Sequence, residues 1–371
     1  MKPAPHFAAW PLRPPPQYLR WMVGGLVVLA LVGCAGVLLR PWLEDWLPAL
    51  GALALVAWLL ALLLRLLAFR FNRHNAACYG AAVEQVEQRW WSHHRQQAAL
   101  VDLVLIGPAC SVPDDRAGLF EAERKPPQAK AEEGGQVLRS TQVLGKGQAR
   151  RELQLARLLA MQLQAQRSEP FSAPLLHCYW QGSAEAWQVF AEETGRRFNV
   201  VLPDQPRPWT GLDSLDQAID ALHQADAEAL VLCAGCESLP GRQDSKLPGG
   251  EAALLWLLGK SGGVRIARGE AFVADRDALP EVAERALRQC HLQGPTQACA
   301  SFSPALAELG WNPLPAAPLL NFGELQQLEA PVALSLAAAH AQLNAMPSAW
   351  LASDPSCTLA LGVVTPDDPT C

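Results

Sequence analysis

Charge is what two early stretches of this chain lack. Trp21 to Leu39 carries no Asp, Glu, Lys, Arg or His, and neither does Trp46 to Leu64. At roughly 1.5 Å of rise per residue, a helix of about 19 residues crosses a ~30 Å hydrocarbon layer. Only Arg40 to Asp45 separates the two runs, which leaves room for a tight turn. A transmembrane helical hairpin over residues 21–69 is therefore expected, behind a Pro-rich arm over 1–20. The absence of a charge inside either run excludes an ion or proton pathway, so the hairpin reads as an anchor. A cleaved signal peptide fits poorly, because Pro11, Pro14, Pro15 and Pro16 precede the first run where a short basic leader would stand.

Acidic residues are also missing ahead of the first run, where Lys2, Arg13 and Arg20 stand. Arg65, Arg70 and Arg73 follow the second run, whereas the turn sets one Arg against Glu44 and Asp45. By the positive-inside rule this places the N-terminus and the large C-terminal part in the cytoplasm, at a bacterial inner membrane. Trp21, Trp42, Trp46 and Trp10 fall near the expected interfaces, where an amphipathic indole is favoured.

Other absences narrow the function. A net charge of −6 leaves no basic footprint for nucleic acid. No Gly-x-Ser-x-Gly elbow and no dinucleotide fingerprint occurs. Gly145-Lys146-Gly147 lacks the spacing of a phosphate loop. Ten cysteines are scattered through 371 residues, which suits free and mostly buried thiols in a reducing compartment. Cys233-Ala-Gly-Cys236 reads as buried structural thiols, as a redox dithiol, or as half a zinc site completed by Cys290, His291 and Cys299. No catalytic, cofactor-binding or metal residue is assigned.

Beyond the hairpin, residues 70–100 read as a juxtamembrane helix. Trp90, Trp91, His93, His94 and Arg95 form a cluster in it. Adjacent histidines on a helix face different ways, which favours packing over a metal or headgroup site. Residues 101–371 read as a soluble domain, with a polar, exposed or mobile segment at 113–147. Within it, strands are expected at Val101–Ile106, Leu175–Trp180, Phe198–Leu202, Ala229–Gly235, Glu251–Leu258, Val264–Val273, Ala298–Ser301 and Cys357–Val364. Helices are expected at Arg150–Gln166, Ala184–Thr194, Asp213–Ala225, Pro280–Cys290, Pro304–Leu309 and Glu324–Asn344. This alternation, with continuous apolar strands, predicts an α/β domain whose sheet is covered by helices on both faces.

Asp213 to Val273 resembles part of a thiolase-like domain, the fold of β-ketoacyl synthases and thiolases. The resemblance lies in a helix leading to Ala229-Leu-Val-Leu-Cys-Ala-Gly-Cys-Glu-Ser238, then Pro248-Gly-Gly-Glu-Ala-Ala-Leu-Leu255. It extends to Leu320-Asn-Phe-Gly-Glu-Leu325 before an Ala-rich helix and a closing strand. Such enzymes use a Cys at a helix N-terminus with two His, or a His and an Asn. This chain has no His-Gly-Thr segment, and Asn321-Phe-Gly-Glu324 carries Glu where the family's Gly-His would stand. His177, His223, His291 and His340 sit in no matching motif. The resemblance therefore implies a thiolase-like fold without its catalytic residues.

A thiolase-like domain behind a membrane hairpin resembles, in architecture, the type VI lipase adaptor family, which escorts a lipase effector to a secretion apparatus. The leading expectation is a non-enzymatic adaptor or chaperone, with a protein partner (effector or secretion component) and the lipid bilayer as its contacts. The segment Pro113–Gly147 and Trp180 with Trp187 are candidates for the partner surface, the two indoles also for the domain's own core. The alternative is a membrane-tethered acyl-transfer or condensing enzyme using Cys110, Cys178 or Cys233. A toxin immunity protein is the third reading, and it would prefer an outward-facing domain.

Overall fold

In the computed structural model the described residues are 5–38, 47–121, 123–167, 171, 174–296, 298–315 and 317–367. The chain divides into two compact units, residues 2–91 and 92–371.

The first unit holds α1 (Tyr18–Leu38) and most of α2 (Leu47–His94). Both are long and apolar enough to cross a membrane. Their partners run in opposite directions along the chain, which makes an antiparallel pair. Tyr79 Oη donates to Ala8 O (3.0 Å), the Arg13 N–H donates to Asn72 Oδ1 (2.9 Å) and Arg65 Nη2 donates to Pro14 O (3.2 Å). Farther along, Gly25 sits against the Trp58 indole, where a Cβ would come within 2.5 Å of the ring. The Pro-rich arm is thus laid along α2, its Trp10 ring 5.4 Å from that of Tyr79. The expected turn, with Trp42 and Trp46, lies outside the described residues, as does Lys2.

The second unit is built on a ten-stranded sheet, counted among the described residues. Its N-terminal half contains β1 (Gln97–Ile106), β4 (Leu175–Gln181), β5 (Arg207–Pro208), β6 (Leu230–Ser238) and β7 (Glu251–Gly259). The C-terminal half contains β8 (Val264–Ala267), β9 (Glu270–Phe272), β10 (Cys299–Ser301), β11 (Ser348–Asp354) and β12 (Cys357–Thr365). Along the sheet the order is β10-β11-β12-β8-β1-β7-β6-β4-β5, with β9 beside β12. The order is nearly a mirror about the β8–β1 pair. On each side an antiparallel partner follows (β1–β7, β8–β12), then an antiparallel hairpin (β7–β6, β12–β11), then a parallel strand (β4, β10). Each half also places one helix directly before its inner parallel strand: Leu212–Gln224 before β6, and Glu329–Asn344 before β11.

Those two helices form the middle of the molecule. Leu215, Ala218, Ile219 and Leu222 of the first, with Val332, Leu336, Ala337 and Ala341 of the second, share one core with inner-facing strand residues such as Leu103, Cys233, Trp256 and Trp350. Glu329–Asn344 is buried nearly all round, which its alanine-rich sequence permits because small side chains let both halves of the sheet approach. Outer helices Gln148–Gln166 and Ala184–Phe198 cover the N-terminal half, and Leu279–Gln289 covers the C-terminal half. Strand residues alternate between inner and outer cores and are apolar on both, as expected for strands covered on two faces.

Several expectations need correction. Phe198 ends a helix that Asn199 caps in left-handed geometry, so no strand forms over Phe198–Leu202. The single strand expected at Val264–Val273 is two, broken where Gly269 takes φ +77°. The Ala-rich helix begins at Glu329 and not at Glu324, and the strand Ser348–Asp354 was not anticipated. Residues 113–147, expected to be exposed or mobile, are largely exposed where described, yet they include a helical turn (Asp115–Gly118) and a hairpin of β2 (Lys130–Glu132) and β3 (Gly135–Val137).

One buried ion pair ties that hairpin region into the domain. Glu251, fully buried, accepts from Arg151 Nε (2.6 Å) and Nη2 (2.9 Å), from Ser238 Oγ (2.9 Å) and from the Ser140 N–H (3.2 Å). Arg139 joins Ser238 Oγ (3.0 Å) to Glu132 Oε2 (2.8 Å). Glu251→Gln leaves the Arg151 guanidinium in the interior without its counter-charge. A loss of about 3–5 kcal/mol is expected, read as an earlier midpoint in chemical unfolding of the detergent-solubilised protein.

Candidate functional site

The two central helices direct their N-termini, each a cluster of unpaired N–H groups with partial positive charge, toward the strand ends of the opposite half. A buried carboxylate meets each one. Asp354, the last residue of β11, accepts from the Leu212 N–H through Oδ2 (3.1 Å) and from the Ser356 N–H through Oδ1 (2.9 Å). Glu237, near the end of β6, accepts from the N–H groups of Gln326 (3.0 Å), Gln327 (3.2 Å) and Leu328 (3.3 Å). Asp354 thus takes the first N–H of the first helix, and Glu237 gathers the turn that leads into the second, each from the opposite half.

At the first of these sites Gly211 precedes the helix with φ +75° and ψ −139°. A Cβ there would sit 2.2 Å from Asp354 Oδ2, so no side chain fits while the carboxylate is in place. Thr210 and Ser214 close the turn, the Thr210 N–H donating to Ser214 Oγ (2.8 Å). The cavity beside it measures about 10 Å³, room for roughly one water. Trp209, Trp256, Trp350 and Leu334 are among the residues that fill the rest.

The segment Asn321-Phe-Gly-Glu324 has partners of its own. Phe322 is buried against Gly107. Glu324 accepts from Arg242 Nη2 (2.7 Å) and Ser245 Oγ (3.0 Å), a surface tie to the β6–β7 loop. The four histidines noted in the sequence are elsewhere. His223 lies at the far end of the first central helix with Nε2 3.1 Å from Gln97 O, and His340 near the far end of the second with Nδ1 2.7 Å from Ser348 Oγ. His177 lies on β4, and its pKa is lowered by burial and by the Arg207 charge. His291 sits in a turn with φ +56°.

The three cysteines considered as nucleophiles are all buried. Burial pushes Cys110 and Cys178 up to about 12 and raises Cys233 as well. Cys233 faces the central core and Cys236 the outer one, so the pair is split by the sheet and forms neither a dithiol nor a chelate. Among the described residues no group of three His, Cys, Asp or Glu is placed to hold a metal ion. Cys290, His291 and Cys299 are therefore not brought together with Cys233 and Cys236.

The aromatic clusters resolve as packing. Trp180 stacks on Phe190 and Trp187 packs tilted against it, and the two indole N–H groups donate to Ser183 O (3.1 Å) and Pro203 O (3.0 Å). His93 and His94 diverge: His94 Nε2 is 2.7 Å from Glu270 Oε1, and His93 Nε2 is 3.8 Å from Asp220 Oδ1. Fully buried Arg268 fastens this helix end by donating to His93 O (3.0 Å) and Asp220 Oδ1 (2.5 Å).

No family model and no curated protein sequence matches the chain. Solved structures do. The ishigamide ketosynthase/chain length factor matches with a TM-score of 0.53 at 16% identity, covering 73% of this chain and 99% of that one. The oxazolomycin ketosynthase domain of Streptomyces albus gives 0.47 at 14% identity, covering 73% and 95%. The 3-oxoacyl-(acyl carrier protein) synthase III of Xanthomonas oryzae gives 0.43 at 10%, covering 73% and 99%. The first likeness shows a thiolase-like fold, the one expected from the sequence, and at this identity it shows the fold alone.

Two outcomes follow from this geometry. Asp354→Ala and Glu237→Ala are each expected to cost about 1–2 kcal/mol, measured by thermal unfolding. Folding raises the thiol pKa values above the ordinary value near 9, with Cys357 at about 11 and Cys290 at about 12. That stabilisation is complete below pH 9 and is lost as pH climbs through 11 to 12. Iodoacetamide at pH 8 should consequently label Cys110, Cys178, Cys233, Cys236 and Cys299 only after unfolding, as peptide mass spectrometry would reveal.

Proposed function

We propose that this protein is a membrane-anchored, non-enzymatic adaptor or chaperone that uses a thiolase-like domain to bind a protein partner. The observation that supports it is the first central helix N-terminus. Condensing enzymes of this fold need a thiolate there, stabilised by the helix dipole. Here the position holds Gly211, the Asp354 carboxylate takes the N–H group, and almost no cavity is left. A negative carboxylate at that point would also oppose the thiolate and oxyanion that thioester chemistry develops. The apolar helices supply the anchor, and the flanking arginines favour a cytoplasmic domain at a bacterial inner membrane. The architectural resemblance to type VI lipase adaptors makes a secreted effector or a secretion component the partner of choice.

A second reading is an acyl-transfer or condensing enzyme. The fold likeness on its own leans toward it, since the matched structures bear the names of ketosynthases and a synthase. The two readings part in one experiment on the detergent-solubilised protein. After incubation with acetyl- and malonyl-coenzyme A the intact mass should be unchanged, and affinity purification from native cells should recover a stoichiometric effector or secretion component. An acyl adduct on Cys110, Cys178 or Cys233 that disappears in the matching alanine variant would overturn the adaptor reading. A domain found on the outer side of the membrane would instead favour the immunity reading.

A further inference from the structure

The opposite end of the first central helix opens on a different kind of space. A cavity of about 440 Å³ lies beside His223, in the last turn of Leu212–Gln224, and is walled by Arg95, Gln96, Gln97, Lys260 and Arg265. Leu212 and His223 are separated by about 16 Å of helix, so this cavity is remote from the capped N-terminus. Every lining side chain is polar or charged, the His223 imidazole among them. We propose that it binds a small, hydrophilic, phosphate-bearing metabolite.

The charges carry the inference. The chain as a whole has a net charge of −6, yet three cationic side chains converge here. The nearby carboxylate, Asp367, is paired with Arg265, whose Nε and Nη2 both lie 3.0 Å from Asp367 Oδ1. Arg265 is held in place by a second bond, from Nη1 to Lys260 O (2.7 Å). Lys260 Nζ donates one N–H to Ala225 O (2.5 Å), which satisfies a carbonyl at the helix C-terminus and fixes the ammonium at the cavity wall. His223 is set by Gln97 O (3.1 Å). Positively charged donors are thus pre-positioned by backbone carbonyls, the arrangement that charge-assisted binding of a phosphate requires.

The lining decides between ligand sources. A phospholipid needs aliphatic side chains to cover its acyl chains, and no Leu, Ile, Val, Met or Phe lines this cavity. Gln96, whose Oε1 accepts from Arg268 Nη2 (2.6 Å), and Gln97, whose Nε2 donates to Cys290 Sγ (3.6 Å), each have a second amide atom suited to a hydroxyl beside the phosphate. A phosphorylated sugar or a similar soluble ester therefore fits best.

Isothermal titration of the full chain in detergent with inorganic pyrophosphate, at fixed ionic strength, is the test. Saturable binding is expected, with no response to acetate. Lys260→Gln and Arg265→Gln should each weaken it about tenfold, the size of one lost charge-assisted bond. Arg196→Gln, on an exposed outer helix, should leave it unchanged. Should Arg265→Gln fail to fold, Lys260→Gln still decides, because a glutamine amide can donate to Ala225 O. Absence of saturable binding, equal binding in the Gln variants, or binding that appears only in discs containing phosphatidylglycerol would each overturn the proposal.

Discussion

The arrangement on which the domain's interior depends is the exchange of helix caps between its halves. Glu237 leaves the N-terminal half to hold the turn Gln326–Leu328 that leads into the helix Glu329–Asn344, and Asp354 leaves the C-terminal half to meet the helix Leu212–Gln224. Leu212 and Leu328 are buried, so the N–H groups at these two helix starts need partners inside the domain. Left unpaired, each such group would cost about 1–3 kcal/mol. The carboxylates, themselves buried, in turn need those N–H groups. The two halves are thereby interlocked through mutual need. The nearly mirrored strand order makes this possible by delivering corresponding strand ends to corresponding helix starts.

The same exchange bears on chemistry. A helix N-terminus at the centre of a thiolase-like fold is an anion site, and an anion already fills it. With Gly211 too close to Asp354 to carry a side chain, and tryptophans closing the remaining space, stabilising the fold and keeping a nucleophile are opposed demands at one point. The interior at this point serves cohesion. Within the same unit Arg268 and Glu270 add a second buried charged cluster, holding His93 and His94.

Much of the architecture was legible because it rests on local pattern. The apolar runs announced the two long helices, and apolar strands such as Leu230–Ser238 showed that the sheet is covered on both faces. The strand Ser348–Asp354 escaped because Ser-Ala-Trp-Leu-Ala-Ser-Asp has no alternation and follows an alanine-rich helix directly. The break at Gly269 needed the φ value that only the structure supplies. At the site, the replacement of Gly-His by Gly-Glu324 could be read, whereas Gly211 and Asp354 could not. Their contact spans more than a hundred residues, and an aspartate ending a strand looks like any turn residue. Cys233 and Cys236 show the reverse case: a suggestive spacing that strand periodicity dissolves, since residues three apart on a strand face opposite ways.

Amide hydrogen exchange of the detergent-solubilised protein tests the exchanged caps most directly. The Leu212 amide and those of Gln326, Gln327 and Leu328 should be protected in the native protein. Asp354→Ala should release the first while sparing the others, and Glu237→Ala should do the reverse. Rapid exchange at both helix starts in the native protein, or protection untouched by either substitution, would contradict the account.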